Sequence, residues 1–106
     1  MQATFGALAE PNRLHIVELL REGPRPVNDI VERLRLRQPL VSKHLRVLSQ
    51  AGLVRARVSG QQRIYQLEER PFAELDHWLA TFQRTWNTRL DNLDDYLQTL
   101  QPPRPK

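Results

Sequence analysis

The chain has 106 residues, 40% apolar and 26% charged, with 16 basic and 12 acidic side chains and a formal net charge of +4. This is the size and composition of one globular domain. It excludes a wholly disordered chain, and no run approaches the roughly 18 uncharged apolar residues that a membrane helix needs. Cysteine is absent, which excludes disulfides, a thiolate metal site and a cysteine nucleophile.

Met1 to Phe5 carry neither the basic nor the long apolar segment of a secretory signal, so a reducing, cytoplasmic setting is expected. Thr4 to Ala9 reads as a short helix. Pro11 restarts the chain, because proline at a first helical position lacks only an N–H that would be unpaired there. Leu14, Val17 and Leu20 follow at helical spacing, with Ile16 and Leu19 widening the stripe. Gly23-Pro24-Arg25-Pro26 stops that helix. Val27, Ile30, Val31 and Leu34 predict a second amphipathic helix.

After a tight turn at Arg35-Leu36-Arg37, a helix is expected from Gln38 to Gln50, with Val41, Leu45 and Leu48 on one face. Gly52 ends it as a left-handed cap. Two β-prone runs, Leu53 to Val58 and Gln62 to Leu67, flank the hairpin signal Ser59-Gly60-Gln61. Val54, Ala56 and Val58 alternate with Arg55 and Arg57, so one face of that strand is apolar and the other basic.

Pro71 punctuates, and Phe72 to about Leu100 is one long helical pattern. Leu75, Leu79, Phe82, Trp86, Leu90, Leu93, Leu97 and Leu100 follow one another at steps of 4, 3, 4, 4, 3, 4 and 3, flanked by Trp78 and Tyr96. Such a helix would be about 43 Å long. That exceeds the small domain before it, so part of the stripe needs a partner, most simply the same helix of a second chain. A core drawn from about 100 residues is marginal alone, which favours association. One domain is expected over residues 1–100, with the proline-rich 101–106 a disordered tail.

The net charge hides a split. Residues 1–66 carry 11 basic and 5 acidic side chains, whereas residues 67–106 carry 5 basic and 7 acidic. From Arg33 to Leu67 there is no Asp or Glu, while Arg33, Arg35, Arg37, Lys43, Arg46, Arg55, Arg57 and Arg63 are all cationic. A solvated face normally carries both signs; a one-sign block attracts polyanions. Two helices joined by a tight turn and followed by a basic hairpin form a winged helix-turn-helix, whose second helix enters the major groove. At about 100° per residue, Val41, Leu45 and Leu48 cluster within roughly 60°. Pro39, Lys43 and Arg46 point nearly opposite, with Ser42 at the flank, giving the short, polar, basic face that base-edge and phosphate contacts need.

On these residues the chain resembles the ArsR family of bacterial winged-helix repressors. The matching stretches are Leu8-Ala9-Glu10-Pro11-Asn12-Arg13-Leu14-His15-Ile16-Val17, then Val27, Ile30, Val31 and Leu34. Gln38-Pro39-Leu40-Val41-Ser42-Lys43-His44-Leu45-Arg46-Val47-Leu48 matches the recognition helix. Ala51-Gly52-Leu53-Val54 leads into the wing and Arg63-Ile64-Tyr65-Gln66-Leu67 closes it. The likeness covers residues 5–67 well and the last helix in general character. It implies a mainly α fold with a small β-hairpin, in the order of four helices, two strands and a last helix. It also implies a homodimer joined by the first and last helices, binding an imperfect inverted repeat of double-stranded DNA in a promoter and blocking RNA polymerase.

Carried over residue by residue, Gln38, Pro39, Ser42 and Lys43 fall at positions facing bases and phosphates, Arg46 at a phosphate contact, and Arg55, Arg57, Gln62 and Arg63 on the wing. His44, about 65° from the buried face, either packs against the first helix or leans toward a phosphate, and is counted with the DNA-facing set. The expected dimer interface comprises Phe5, Leu8, Leu75, Trp78, Leu79, Phe82, Trp86, Leu90, Leu93 and Leu97. Two positions depart from the family pattern, which has Gly at 35 and Ser at 37. Gly takes a left-handed turn freely and Ser caps the next helix. Here both are arginine, adding two cations beside the groove, and Arg37 is expected to meet a phosphate.

Family members that sense metals use cysteines near the recognition helix or Asp/His pairs along the last one. This chain has no Cys, and Glu74, Asp76 and His77 have no second His further along, so no metal site is expected. His15, on an apolar helix, is expected to be partly buried. Asp76 and His77 project about 100° apart and cannot act as a dyad, and no glycine-rich phosphate loop appears, so no catalysis and no cofactor are expected. Phe72, Trp78, Phe82 and Trp86 could line a pocket for a small effector, but helical spacing favours plain dimer core. The competing reading, a dimeric winged-helix protein-interaction module without DNA binding, is disfavoured by the acid-free block.

Overall fold

The computed structural model describes residues 1–100, which form α1 (Gln2–Leu8), α2 (Pro11–Leu20), β1 (Arg25–Pro26), α3 (Val27–Leu34), α4 (Gln38–Gln50), β2 (Val54–Ser59), β3 (Gln62–Leu67) and α5 (Glu69–Leu100). The expected tail, 101–106, lies outside the described residues. Helices and a small antiparallel sheet in the order β1-β3-β2 make a winged helix-turn-helix. The residues fall into two compact units, Met1–Glu74 and a second from Leu75 onward.

In the first unit the helix ends follow from local backbone chemistry. Glu10 caps α2: its carboxylate accepts the Arg13 N–H at 2.9 Å, and Pro11 occupies the first helical position. The Arg13 Nε in turn donates to the Ala7 carbonyl at 2.7 Å, tying α1 to α2. At the end of α4, Gly52 takes φ +77°, and the N–H groups of Gly52 and Leu53 donate to Ser49 and Leu48 carbonyls, both at 3.0 Å. This is the Schellman arrangement, and Leu53 and Leu48, its apolar pair, are both fully buried. Ile16, Ile30, Val41 and Leu45 complete the innermost core beside them.

The β2–β3 hairpin pairs Ser59 with Gln62, leaving a two-residue loop whose first member, Gly60, has φ +63°, a conformation glycine adopts freely. Sequence reading missed β1. Gly23 to Pro26 does stop α2, but Arg25 and Pro26 then pair with Tyr65 and Ile64 as an edge strand, where a proline without an N–H is tolerated. Arg25 holds that corner, donating to Asp29 at 2.6 Å and Glu22 at 2.7 Å. The apolar face expected along β2 is covered only at Val54; Val58 is 74% exposed, because the hairpin extends past the helices that cover its base. His15 is exposed rather than partly buried, and Leu14 beside it is also exposed.

The last helix starts at Glu69, three residues before the expected Phe72. Pro71 lies in its first turn, where a missing N–H costs nothing. At 32 residues α5 is about 48 Å long. None of its residues is buried; Leu75 and Trp78 are partly covered, and Leu79, Phe82, Trp86, Leu90, Leu93 and Leu97 are exposed. Trp78 and Phe82 meet edge to face with centroids 4.7 Å apart, and the Arg89 guanidinium lies 5.8 Å from the Trp86 ring. In the first unit Phe5 is exposed, while Leu8 packs against the core. Among the described residues no helix is long and apolar enough to cross a membrane.

Candidate nucleic-acid interface

Helix α4 is positioned by its apolar side. With Val41, Leu45 and Leu48 fully buried, the helical repeat turns Gln38, Ser42, Arg46 and Ser49 outward in one row spanning about 80°, with Pro39 and Lys43 beside it. All six are exposed. The row lines an open cleft of about 520 Å³ together with Gln61, Gln62, Arg63 and Tyr65 of the hairpin and with Pro26, Val27 and Asn28.

The hairpin register decides which wing residues take part. Arg63 pairs with Val58 and Tyr65 with Ala56, so Arg63 shares the face of Val54 and Tyr65 that turns toward the body. Arg55, Arg57 and Gln62 alternate onto the opposite face. Gln62, at the tip, still reaches the cleft rim. Arg55 is engaged elsewhere: its Nε lies 3.3 Å from the Glu68 carboxylate, and the Gln66 side-chain carbonyl, in the amide orientation that satisfies both groups, accepts from it at 2.9 and 2.6 Å. The four wing residues expected together are therefore divided.

His44 is not on the exposed face. It is 6% exposed and turned toward α2, its Nε2 3.7 Å from the Glu10 carboxylate, too far for a hydrogen bond. Of the two placements open for it, it is turned inward rather than toward a phosphate, although its neighbour is the N-cap of α2 rather than the first helix, and burial takes it off the exposed face.

The stretch from Arg33 to Leu67 carries charge of one sign. Of the eight cations between Arg33 and Leu67, Arg33 lies 3.9 Å from Asp29 and Arg55 meets Glu68. Arg35, Arg37, Lys43, Arg46, Arg57 and Arg63 have no ion-pair partner among the described residues. Unneutralised guanidinium forks next to amide and hydroxyl side chains suit phosphates and base edges. Asn28, Ser49, Gln61 and Tyr65 also line the cleft and were missed from sequence. Ser49 was within reach of the helical arithmetic, seven residues after Ser42; the others depend on β1 and on the hairpin register.

A family model described as bacterial regulatory protein, arsR family, matches residues 10–56. The HTH-type transcriptional repressor SmtB of Mycobacterium tuberculosis is 44% identical over 69 residues, which is 65% of this chain and 51% of SmtB, so the chain spans about half the length of that relative. The transcriptional repressor SdpR of Bacillus subtilis is 30% identical over 82 residues, covering 77% of this chain and 91% of SdpR. The crystal structure of an ArsR family transcriptional regulator superposes with a TM-score of 0.72 at 30% identity, over 81% of this chain and 94% of that one. These relatives are named as regulators, not enzymes.

Proposed function

Because the chain belongs to the ArsR family of bacterial regulatory proteins, we propose that it is a sequence-specific DNA-binding repressor that acts as a homodimer on a pseudo-palindromic operator. The observation that carries this reading is the outer row of α4, Gln38, Ser42 and Arg46, which with Arg63 lines an open cleft with no carboxylate in its lining. In this reading α4 enters the major groove. Gln38, Ser42 and Lys43 read base edges, and Arg37, Arg46 and Arg63 neutralise phosphates. Repression follows from occupancy, because a promoter covered by the dimer is closed to RNA polymerase.

The dimer is supported by α5. Read outward from Trp86, its apolar residues recur at the same steps in both directions: Phe82 and Leu90 at 4, Leu79 and Leu93 at 7, Leu75 and Leu97 at 11. A spacing symmetric about one residue suits two copies paired antiparallel, with Trp86 at the two-fold axis and each apolar side chain level with one from the partner. From Leu79 to Leu100 the stripe residues are 45–61% exposed. Eight such side chains, Tyr96 included, offer on the order of 800 Å², the scale of one side of a standard interface.

Footprinting on the DNA flanking the protein's own gene tests the reading, together with titration of the protected duplex and a scrambled duplex at 50 and 200 mM KCl. Expected are two protected half-sites about one helical turn or a small multiple apart, tighter binding to the protected sequence, and an affinity that falls steeply with salt. Binding insensitive to both sequence and salt would overturn it.

A further inference from the structure

The end of α3 and the turn into α4 read Arg33-Leu34-Arg35-Leu36-Arg37, with both leucines packed on the core and all three arginines exposed. Arg35 adopts φ 55° and ψ 40°, and among the described non-glycine residues no other has a positive φ. Glycine takes this left-handed conformation freely; a residue with a Cβ takes it at a cost. Two residues later Arg37 occupies the N-cap of α4 without a side-chain cap hydrogen bond, where a small hydroxyl or carboxamide would satisfy the helix end. A cation also opposes the positive end of the helix dipole. Each position disfavours arginine, and neither guanidinium makes a hydrogen bond or ion pair within the described residues.

Strain held at an exposed position with no return inside the fold points to a use outside it. We propose that Arg35 contacts the sugar–phosphate backbone, so that the Arg35–Arg37 turn extends the DNA-facing surface beyond the outer row of α4. This rests on the DNA-binding reading above. A guanidinium fork fits two phosphate oxygens or the O6 and N7 of guanine; the contact assigned here is phosphate, and unequal losses on the two duplexes below would mark a base contact instead and overturn it.

The test measures thermal unfolding of the full chain and its binding to the footprinted duplex and to a scrambled duplex, each at 50 and 200 mM KCl. Arg35→Gly should raise Tm by a few degrees through relief of the left-handed strain. It should weaken binding to both duplexes several-fold and equally, and lower the slope of log affinity against log salt by about one. Arg35→Gln, which keeps the Cβ and loses the charge, should show the same loss of slope without the gain in Tm. Arg35→Lys should retain the slope. Wild-type affinity and slope in Arg35→Gly would overturn the inference while leaving DNA binding intact. A lower Tm with weaker binding would assign Arg35 to the fold and overturn it too. A wild-type chain that binds neither duplex in a salt-dependent way would instead overturn the reading beneath it.

Discussion

The first 74 residues and the helix from Leu75 onward carry apolar residues at the same spacing and bring them to opposite states. Val41, Leu45 and Leu48 recur at 4 and 3 on α4 and are fully buried; Leu79, Phe82 and Trp86 recur at 3 and 4 on α5 and are 45–55% exposed. Periodicity defines a face but not what covers it. In the first unit α2, α3 and the hairpin base close over α4, which leaves its polar row for a ligand. The α5 stripe is still in want of a cover. Charge separates the regions as well: Arg33 to Leu67 has no carboxylate, whereas Leu75 to Leu100 has four acidic and two basic residues. In the proposed complex one region meets a polyanion and the other its own copy.

The sharpest way to break that division is Trp86→Arg. In the proposed antiparallel pair it sets two guanidinium groups against each other at the two-fold axis, in a strip otherwise apolar. Sedimentation equilibrium should show a monomer at micromolar concentration, and operator affinity should fall by about 100-fold or more, since each half-site would bind alone. A tight Trp86→Arg dimer would sink the interface. Next comes Ser42→Glu, which puts a carboxylate in the outer row of α4. Binding should fall below detection while dimer mass and Tm stay at wild-type values, because Ser42 is exposed and supports nothing in the core. Leu45→Ala and Leu93→Ala then set the regions side by side. The first leaves a cavity in a filled core and should cost about 2–5 kcal/mol at every protein concentration. The second should lower Tm less, by an amount that fades as concentration rises, because association restores what the monomer lacks.

What could be read from the sequence follows the range over which each feature is determined. Helices α2 to α4 were legible because Pro11, Gly52 and the apolar repeat act within a few residues, and Pro39, Ser42, Lys43 and Arg46 followed from the same rotation about α4, whereas Gln38 came from the family resemblance. Two-residue β1 has no repeat to detect, and its pairing with Ile64 and Tyr65 spans almost forty positions. The face taken by Arg63 depends on the parity set by the Gly60-Gln61 loop, which alternation within either strand leaves open. Val58 alternates as an inward residue should, but nothing local records that the hairpin outruns the body. For His44 the deciding neighbour, Glu10, lies on another element. Pro71 marks a helix start as readily as a stop, and only its place in the first turn of α5 distinguishes the two.

The smallest expected effect, Arg37→Ser, bears on whether the first unit is built for its own stability or for its ligand. Arg37 has the extended backbone of an N-cap, φ −68° and ψ 143°, and its carbonyl already accepts the N–H groups of Leu40 and Val41 at 3.1 Å each. Only the side chain is wrong for the position. A serine hydroxyl there can accept one of the unpaired N–H groups of the first turn, a gain of about 1 kcal/mol. Removing a cation from the positive end of the helix dipole adds roughly 0.3–1 kcal/mol at low salt. Denaturant unfolding should therefore show a more stable protein with an unchanged m-value. The same substitution removes one phosphate contact in the proposed complex, so operator affinity should fall several-fold and the salt slope should drop by about one. A variant that gained stability and kept both affinity and slope would show that Arg37 does not touch the duplex, leaving its poor fit to the N-cap without a functional return.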